Sequence, residues 1–262
     1  MQHRLRICLA QLAVTSGEVE ANLAKIVQTI ERYQKSDLIV FPELVVHGHL
    51  YSTLPRADIV EILRHTPPLD AVREAARRHA VRVILGSIEE RDGRLYNVAV
   101  YLGRDSTQSY AKTHVHWTEQ FDPGESLQVF DSSLDKIGPL ICYDAAFPEC
   151  ARALALQGAR LITVIAAVPS HFDSLVMSRR MQSIAVMNQV FVVYVNRGGE
   201  DFLGGSGAWS PRGDVVGRVG RGEHFLEVEI DLLEVDRWRE QEPLFPHRRP
   251  DLYASSYPIE AK

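Results

Sequence analysis

Three side chains with the chemistry of nucleophilic catalysis each stand just after an apolar, strand-like segment. Glu43 follows residues 37–41, Lys112 comes near the end of 107–113, and Cys142 ends 137–142. A cysteine attacks efficiently when a base removes its proton, and a nearby cation stabilises the negative charge that develops on a carbonyl oxygen. If the three strands end at one rim, these residues supply a nucleophile, a base and a cation for attack on an amide-like carbon.

Taken singly, each residue has a commoner structural interpretation. Cys142 could be a small buried thiol, Glu43 a solvated loop carboxylate, and Lys112 a surface ammonium. The context of Cys142 adds weight to a catalytic role, because a strand ends there and a helix is expected near Pro148. At such a turn the nucleophile can project into a pocket and following backbone N–H groups can bind an oxyanion. For Glu43, partial desolvation is expected to raise the pKa towards neutrality, as suits a general base.

The elements that must position these residues follow from hydrophobic periodicity and turn signals. Apolar runs alternate with amphipathic segments, and Asp92-Gly93 predicts a hairpin turn. Thr15 and Glu18 stand at capping-box spacing before the first helix. The predicted strands are 5–13, 37–41, 81–88, 95–102, 107–113, 137–142, 161–167 and 190–195, with two more in 214–230, and the predicted helices are 19–33, 69–80, 147–157 and 174–188.

This alternation predicts an α/β fold of mixed sheets covered by helices. No linker, repeat or low-complexity tract divides the chain, so residues 1–262 are expected to form one domain. The stretch 241–262 is rich in proline and arginine and predicts a C-terminal arm that covers either its own surface or a partner.

Three ordered motifs carry a resemblance to the nitrilase (carbon–nitrogen hydrolase) superfamily: Phe41-Pro-Glu-Leu44, Tyr110-Ala-Lys-Thr-His114 and Ile141-Cys-Tyr-Asp144. The similarity spans about residues 4–230. Further matches are Asn22, Gly48, Phe121-Asp-Pro-Gly124, Gly138, Phe147-Pro-Glu149, Gly158-Ala159, Asn188, Asn196-Arg197 and the glycine-containing run 205–213.

The resemblance implies a four-layer αββα sandwich with Glu43, Lys112 and Cys142 as a catalytic triad. It also implies a second glutamate, assigned to Glu119, which positions the base, substrate or water. The backbone N–H of Tyr143 is implied as an oxyanion donor, and His49 and Phe147 as substrate-binding residues.

The implied activity is hydrolysis of a small amide through a cysteine thioester, with no metal or organic cofactor. The sequence Cys142-Tyr-Asp144 resembles the amidase and carbamoylase branches more than the nitrile-hydrolysing branch. N-carbamoyl compounds and nitriles remain alternative substrates, as does acyl transfer to an amine. A catalytically idle scaffold on the same fold is a further alternative. The resemblance also implies a homodimer or larger homo-oligomer.

Two departures from the family pattern bear on the substrate and on local structure. His49 stands where a tyrosine is frequent, near the expected pocket mouth, and Met187 stands where a glutamate precedes Asn188. Arg179 and Arg180 are candidates for holding a substrate carboxylate.

Two other motifs suggest different chemistry. His47-Gly-His49 and His114-Val-His116 would each present two imidazoles on one strand face and so suggest a metal site, but no third ligand stands at a helpful spacing. The run 204–208 resembles a serine-nucleophile loop in which Ala208 replaces a glycine, and a flexible turn is favoured there.

Composition limits the classes of partner. The chain has 262 residues, a net charge of −5 and a pI near 6.1, so nothing in its charge favours nucleic acid or an anionic membrane. Three cysteines argue against a disulfide framework and for a reducing compartment. The N-terminal apolar stretch is short and lacks a cleavage-site pattern, so the expected location is the cytoplasm.

Overall fold

The computed structural model describes residues 3–49 and 54–256, and it arranges them as two six-stranded sheets between layers of helices. The first sheet has the spatial order β12-β1-β2-β3-β4-β5. Its strands are β1 (Arg4–Gln11), β2 (Leu38–Val40), β3 (Arg82–Arg91), β4 (Arg94–Leu102), β5 (Thr107–Ala111) and β12 (His224–Asp231).

The second sheet has the corresponding order β11-β10-β9-β8-β7-β6. Its strands are β6 (Phe130–Asp131), β7 (Lys136–Ile141), β8 (Leu161–Ala166), β9 (Phe191–Asn196), β10 (Gly207–Trp209) and β11 (Val215–Arg218). Both sheets are mixed: β1, β2 and β3 pair in parallel, as do β7, β8 and β9, while the flanking strands are antiparallel.

The two sheets pack face to face through alternate apolar residues, including Leu9, Ile84, Ile141 and Ile165. The other face of each sheet packs against helices, which gives three adjoining apolar clusters and the four-layer αββα sandwich that the family resemblance implied. The helices are α1 (Val19–Arg32), α2 (Arg56–His65), α3 (Asp70–Arg78), α4 (Pro148–Leu156), α5 (Ser174–Asn188), α6 (Leu233–Gln241) and α7 (Pro250–Ser256). None of the helices in the described ranges is both long and apolar enough to cross a membrane.

Local sequence explains several boundaries. Asp92 and Gly93 both have positive φ, 51° and 74°. A two-residue hairpin turn requires this conformation to match the right-handed twist of the strands that it joins. At the start of α1 the expected capping box is wrong, because Glu18 caps without a side-chain hydrogen bond. The side chain that reaches back to Thr15 is that of Asn22 instead. Its Oδ1 accepts from the Thr15 N–H at 3.1 Å, and its Nδ2 donates to the Thr15 carbonyl at 2.8 Å.

The stretch predicted as a C-terminal arm starts at Gln241, the last residue of α6. Its first residues pack against the same chain. Gln189 donates a hydrogen bond of 2.7 Å to the carbonyl of Glu242, and Phe245 packs under the guanidinium of Arg152. Residues 257–262 of that stretch lie outside the described residues.

Gly86 on β3 fixes the position of the loop that carries Glu43. A Cβ at Gly86 would lie 2.3 Å from the Leu44 nitrogen and 2.6 Å from Glu43 Cα, far inside normal contact. The absence of a side chain therefore lets the Glu43 loop lie directly against the strand.

Gly86→Ala is expected to displace this loop and to lower the free energy of unfolding by at least ~2 kcal/mol, since overpacking against backbone cannot be relieved by a rotamer change. Chemical denaturation measures the effect. Gly220→Ala is the matched control, because a Cβ there meets nothing within 4 Å and no positive φ is involved. Equal stability of the two variants would contradict the close approach.

Candidate active site

A buried ammonium group lies between two carboxylates at the ends of the strands of the first sheet. Lys112, just after β5, places Nζ 2.8 Å from Glu43 Oε1 and 2.8 Å and 3.0 Å from the two carboxylate oxygens of Glu119. Lys112 and Glu43 are each only 1% exposed. Glu43 follows β2, and Glu119 lies in the irregular segment after Lys112. The structure thus brings together three of the four residues predicted as catalytic.

Asn97 completes this group and was not singled out from the sequence. It lies within β4, and its Nδ2 donates to Glu43 Oε1 at 2.8 Å. An isolated amide inside the apolar stretch 95–102 is the signal that could have identified it, since a buried polar side chain needs a partner.

Cys142 stands at the sharp turn between β7 and the 3-10 turn Cys142–Ala146 that precedes α4. Its φ is +47°, a conformation that non-glycine residues rarely adopt and that is concentrated at functional turns. The side chain is half-buried, the backbone N–H of Ala167 lies within hydrogen-bond reach of it, and it experiences the charges of Glu43, Lys112 and Glu119. The fourth predicted residue therefore faces the other three from the second sheet.

The charges of this cluster set its protonation. Burial by itself raises the pKa of Glu43, but the charge and hydrogen bond of Lys112 outweigh burial and hold that pKa below its ordinary value of 4.5. The expectation of a raised pKa for Glu43 is therefore wrong, because it took account of burial and not of the ion pair. Burial raises the pKa of Glu119; Lys112 opposes that shift and the negative charge of Glu43 reinforces it. The two carboxylates are driven apart in pKa by their unequal surroundings.

The thiol and the ammonium are shifted by the same surroundings. Burial disfavours a charged Lys112, yet the negative charge of Glu43 more than compensates and the pKa of Lys112 rises. Burial, reinforced by Glu43, raises the pKa of the Cys142 thiol, and Lys112 only partly opposes it. The resting site therefore holds a protonated thiol beside an ionised Glu43 and a charged Lys112.

Asp144 joins the turn that carries Cys142 to the segment that carries Lys112. It is fully buried, and its Oδ2 accepts from the Ile141 N–H at 3.0 Å and from the Tyr110 hydroxyl at 2.9 Å. Its Oδ1 accepts from the His114 N–H at 2.8 Å and from Thr113 Oγ1 at 2.9 Å. One carboxylate therefore fixes the nucleophile's turn relative to the lysine, a role that the sequence did not reveal.

The predicted substrate-binding residues lie around this centre. Tyr143 is in the first turn of the 3-10 segment, where N–H groups have no partner within the helix. Phe147 stacks on His114 with ring centroids 4.0 Å apart. His49 packs edge-on against Phe202 at 5.8 Å, and burial lowers its pKa although the charge of Glu43 acts in the opposite direction.

Other candidates lie elsewhere or have structural partners. Arg179 is exposed on α5, and Arg180 contacts the sulfur of Met177. Met187 is 62% exposed, so it replaces no buried polar group. Arg197, which the family pattern included without a role, is a buried arginine on whose pKa the charge of Glu43 acts. It is 2% exposed, and its guanidinium lies over the Phe202 ring at 4.2 Å.

The two His-x-His pairs and the loop around Ser206 do not have the local geometry that a metal site or a serine nucleophile would need. Neither His47-Gly-His49 nor His114-Val-His116 lies on a strand, so neither presents a shared face. Among the described residues, His114, Asp144 and Cys150 approach one another, but the oxygens of Asp144 already accept from the donors given above. Ser206 is buried and donates to Gln11 Oε1 at 2.6 Å, which accounts for it structurally.

The comparisons agree with this geometry. A family model described as carbon–nitrogen hydrolase matches residues 6–240, so the chain belongs to that family. An (R)-stereoselective amidase from Pseudomonas sp. is 34% identical over 244 residues, covering 89% of this chain and 88% of the relative. The omega-amidase NIT2 of Bos taurus is 30% identical, covering 98% of each chain.

A solved structure shares the fold. It is a glutamate-to-glutamine mutant of the amidase from Nesterenkonia sp. AN1, with the acetamide moiety of fluoroacetamide added covalently at its active site cysteine. The TM-score is 0.81 at 24% identity, covering 96% of each chain. The solved structure confirms the predicted αββα sandwich, and the family model and the amidase relatives confirm the predicted superfamily and the assignment as a carbon–nitrogen hydrolase.

The raised pKa of Glu119 predicts an acid limb in the pH profile. As pH falls through that pKa, Glu119 gains a proton and loses its ion pair, so Lys112 is balanced by Glu43 alone and Glu43 becomes a weaker base. We expect kcat/KM to fall on the acid side at a pH above 4.5. In Glu119→Gln the limb should move to lower pH, towards the depressed pKa of Glu43. Glu149→Gln, at an exposed carboxylate on α4, is the control. A limb unchanged in Glu119→Gln would refute the assignment.

Proposed function

We propose that this carbon–nitrogen hydrolase cleaves a small linear amide through a thioester on Cys142, releasing ammonia or an amine. The observation that carries the proposal is the buried ion cluster of Lys112, Glu43 and Glu119, which faces a cysteine held at φ +47°. A buried charged cluster at the ends of strands is costly to maintain for stability alone, and it is the arrangement that acid–base and oxyanion chemistry needs.

In the first half-reaction Glu43 takes the proton of the thiol while the sulfur of Cys142 attacks the carbonyl carbon. The electrons of the C=O bond move to oxygen, where Lys112 and the N–H of Tyr143 stabilise the negative charge. A general base is needed because the thiol's raised pKa leaves little thiolate at neutral pH. As the tetrahedral intermediate collapses, Glu43 returns the proton to the departing nitrogen and the carbon–nitrogen bond breaks.

In the second half-reaction Glu43 takes a proton from water as the water oxygen attacks the thioester. The intermediate collapses, the carbon–sulfur bond breaks, and Cys142 recovers its proton as the carboxylic acid leaves. Glu119 does not exchange this proton; its two hydrogen bonds hold the ammonium of Lys112 beside Glu43. Acid–base catalysis and oxyanion stabilisation would each contribute roughly 10²–10⁴ in rate.

The amide substrate is supported by the names of the relatives that align over nearly the whole chain, two of which are amidases. We also propose that the enzyme acts in the cytoplasm as a homodimer or larger homo-oligomer. The three cysteines are free, and apolar side chains on α5 such as Leu175 and Val176 are more than two-fifths exposed, as a subunit contact would use.

Cys142→Ala should abolish ammonia release from a panel of small amides, by roughly four orders of magnitude or more, because it removes the nucleophile. Cys8→Ala is the control, since Cys8 is buried on β1. A panel that also contains N-carbamoyl amino acids and nitriles, assayed for ammonia and CO₂, separates the substrate classes. Retained amide hydrolysis in Cys142→Ala would overturn the mechanism, whereas cleavage of only nitriles or carbamoyl compounds would overturn the substrate class.

A further inference from the structure

Five aromatic rings form a continuous wall beside the turn that carries Cys142. We call this wall the aromatic rim; its members are His114, His116, Trp117, Tyr143 and Phe147. His116 and Trp117 stack at 3.8 Å, and Trp117 meets Tyr143 edge-on at 5.8 Å. Tyr143 in turn meets Phe147 edge-on at 5.1 Å. Because each ring restrains its neighbour, the rim is a formed surface and not a set of independent side chains.

The rim is connected to the reacting groups through the chain. Tyr143 follows the nucleophile in the chain, and the N–H of Glu119 donates to the carbonyl of His116 at 2.8 Å. The charges of Lys112 and Glu43 shift the pKa of His116, and the charge of Glu43 also acts on the pKa of His49. The rim and His49 therefore belong to the surroundings of the same centre.

Trp117 is the most exposed large apolar side chain of the described residues, at 78%. One face of its indole is held by His116, and most of the remaining surface stays in water. An indole left so exposed contributes little of the ~25 cal/mol per Å² that burial would give, so packing does not account for it. A ligand that covers the free surface would gain that contribution.

The rim contains no lysine, arginine or carboxylate side chain. Burial lowers the pKa of His116, and the positive charge of Lys112 lowers it further, which favours the neutral imidazole at neutral pH. Trp117, Tyr143 and Phe147 carry no ionic group at neutral pH, and the ring of His114 lies at the Asp144 end of the rim, with its Nδ1 3.3 Å from Asp144 Oδ1. A planar, uncharged group complements such a surface better than an ionic one.

We infer that the aromatic rim binds an aryl group of the substrate, with Trp117 as the residue that determines specificity. The inference rests on the proposed function, since it names the amide as one that carries an aromatic ring near the carbonyl. Trp117 touches the part of the substrate that does not react, so its contribution is to binding and is expected in KM more than in kcat.

The test measures binding separately from turnover. In the Cys142→Ala protein, dissociation constants for phenylacetamide and acetamide are obtained from ligand-observed NMR titrations. Adding Trp117→Ala should weaken phenylacetamide binding by about 2- to 12-fold, the range that aromatic pairing supplies, and leave acetamide binding unchanged. Trp117→Phe should keep most of the affinity. Tyr253→Ala, at an exposed aromatic residue on α7, is the matched control and should change neither constant.

The inference is overturned if phenylacetamide binds no more tightly than acetamide, or if Trp117→Ala changes both constants equally or neither. With Cys142 restored, the same substitution should lower kcat/KM for phenylacetamide by a similar factor, through KM. If the enzyme hydrolyses both amides and Trp117→Ala changes neither rate, the proposed function stands and the role of the aromatic rim is refuted. If phenylacetamide binds selectively through Trp117 but neither amide is hydrolysed, the role of the aromatic rim stands and the proposed function is refuted.

Discussion

The positive charge of Lys112, removed almost completely from water, is the constraint on which the site depends. Burying an ammonium costs several kcal/mol unless opposite charges and hydrogen bonds compensate for the lost hydration. Glu43 and Glu119 supply that compensation at 2.8 Å each, and Asn97 satisfies Glu43 in turn. The chain cannot move any one of these groups without exposing an uncompensated charge. The need to compensate the buried charge of Lys112 therefore fixes the geometry that catalysis uses.

This constraint joins the two sheets into one functional unit. Lys112 and Glu43 belong to the first sheet and Cys142 to the second, and Asp144 ties the turn of the second sheet to the segment just after Lys112. The αββα sandwich supplies two rigid sheets, and buried polar contacts set how their ends meet. A nucleophile on one sheet and its base on the other can then be held in register although they are 99 residues apart in sequence.

The features predicted from sequence were those that local patterns encode. Strands that end at Glu43, Lys112 and Cys142 followed from short apolar runs, and the hairpin at Asp92-Gly93 followed from turn chemistry. Helix α2 was missed although Ile59, Ile62 and Leu63 recur at helical spacing, and strands β6 and β10 were missed because they have only two and three residues. The lowered pKa of Glu43 and the role of Asp144 depend on contacts across 69 and about 30 residues, which no local window contains.

The central claim is that an acyl group passes through a thioester on Cys142, and it is tested most directly by trapping that intermediate. A Glu43→Gln protein lacks the base that activates water. An activated ester with a good leaving group can still acylate the small thiolate fraction of Cys142 without that base, so acyl-enzyme should accumulate after mixing. Rapid quenching, proteolysis and mass spectrometry then locate the adduct. The account predicts a mass increase equal to one acyl group minus a hydrogen on the peptide that contains Cys142. Hydrolysis of the substrate with the acyl group on another residue would contradict it.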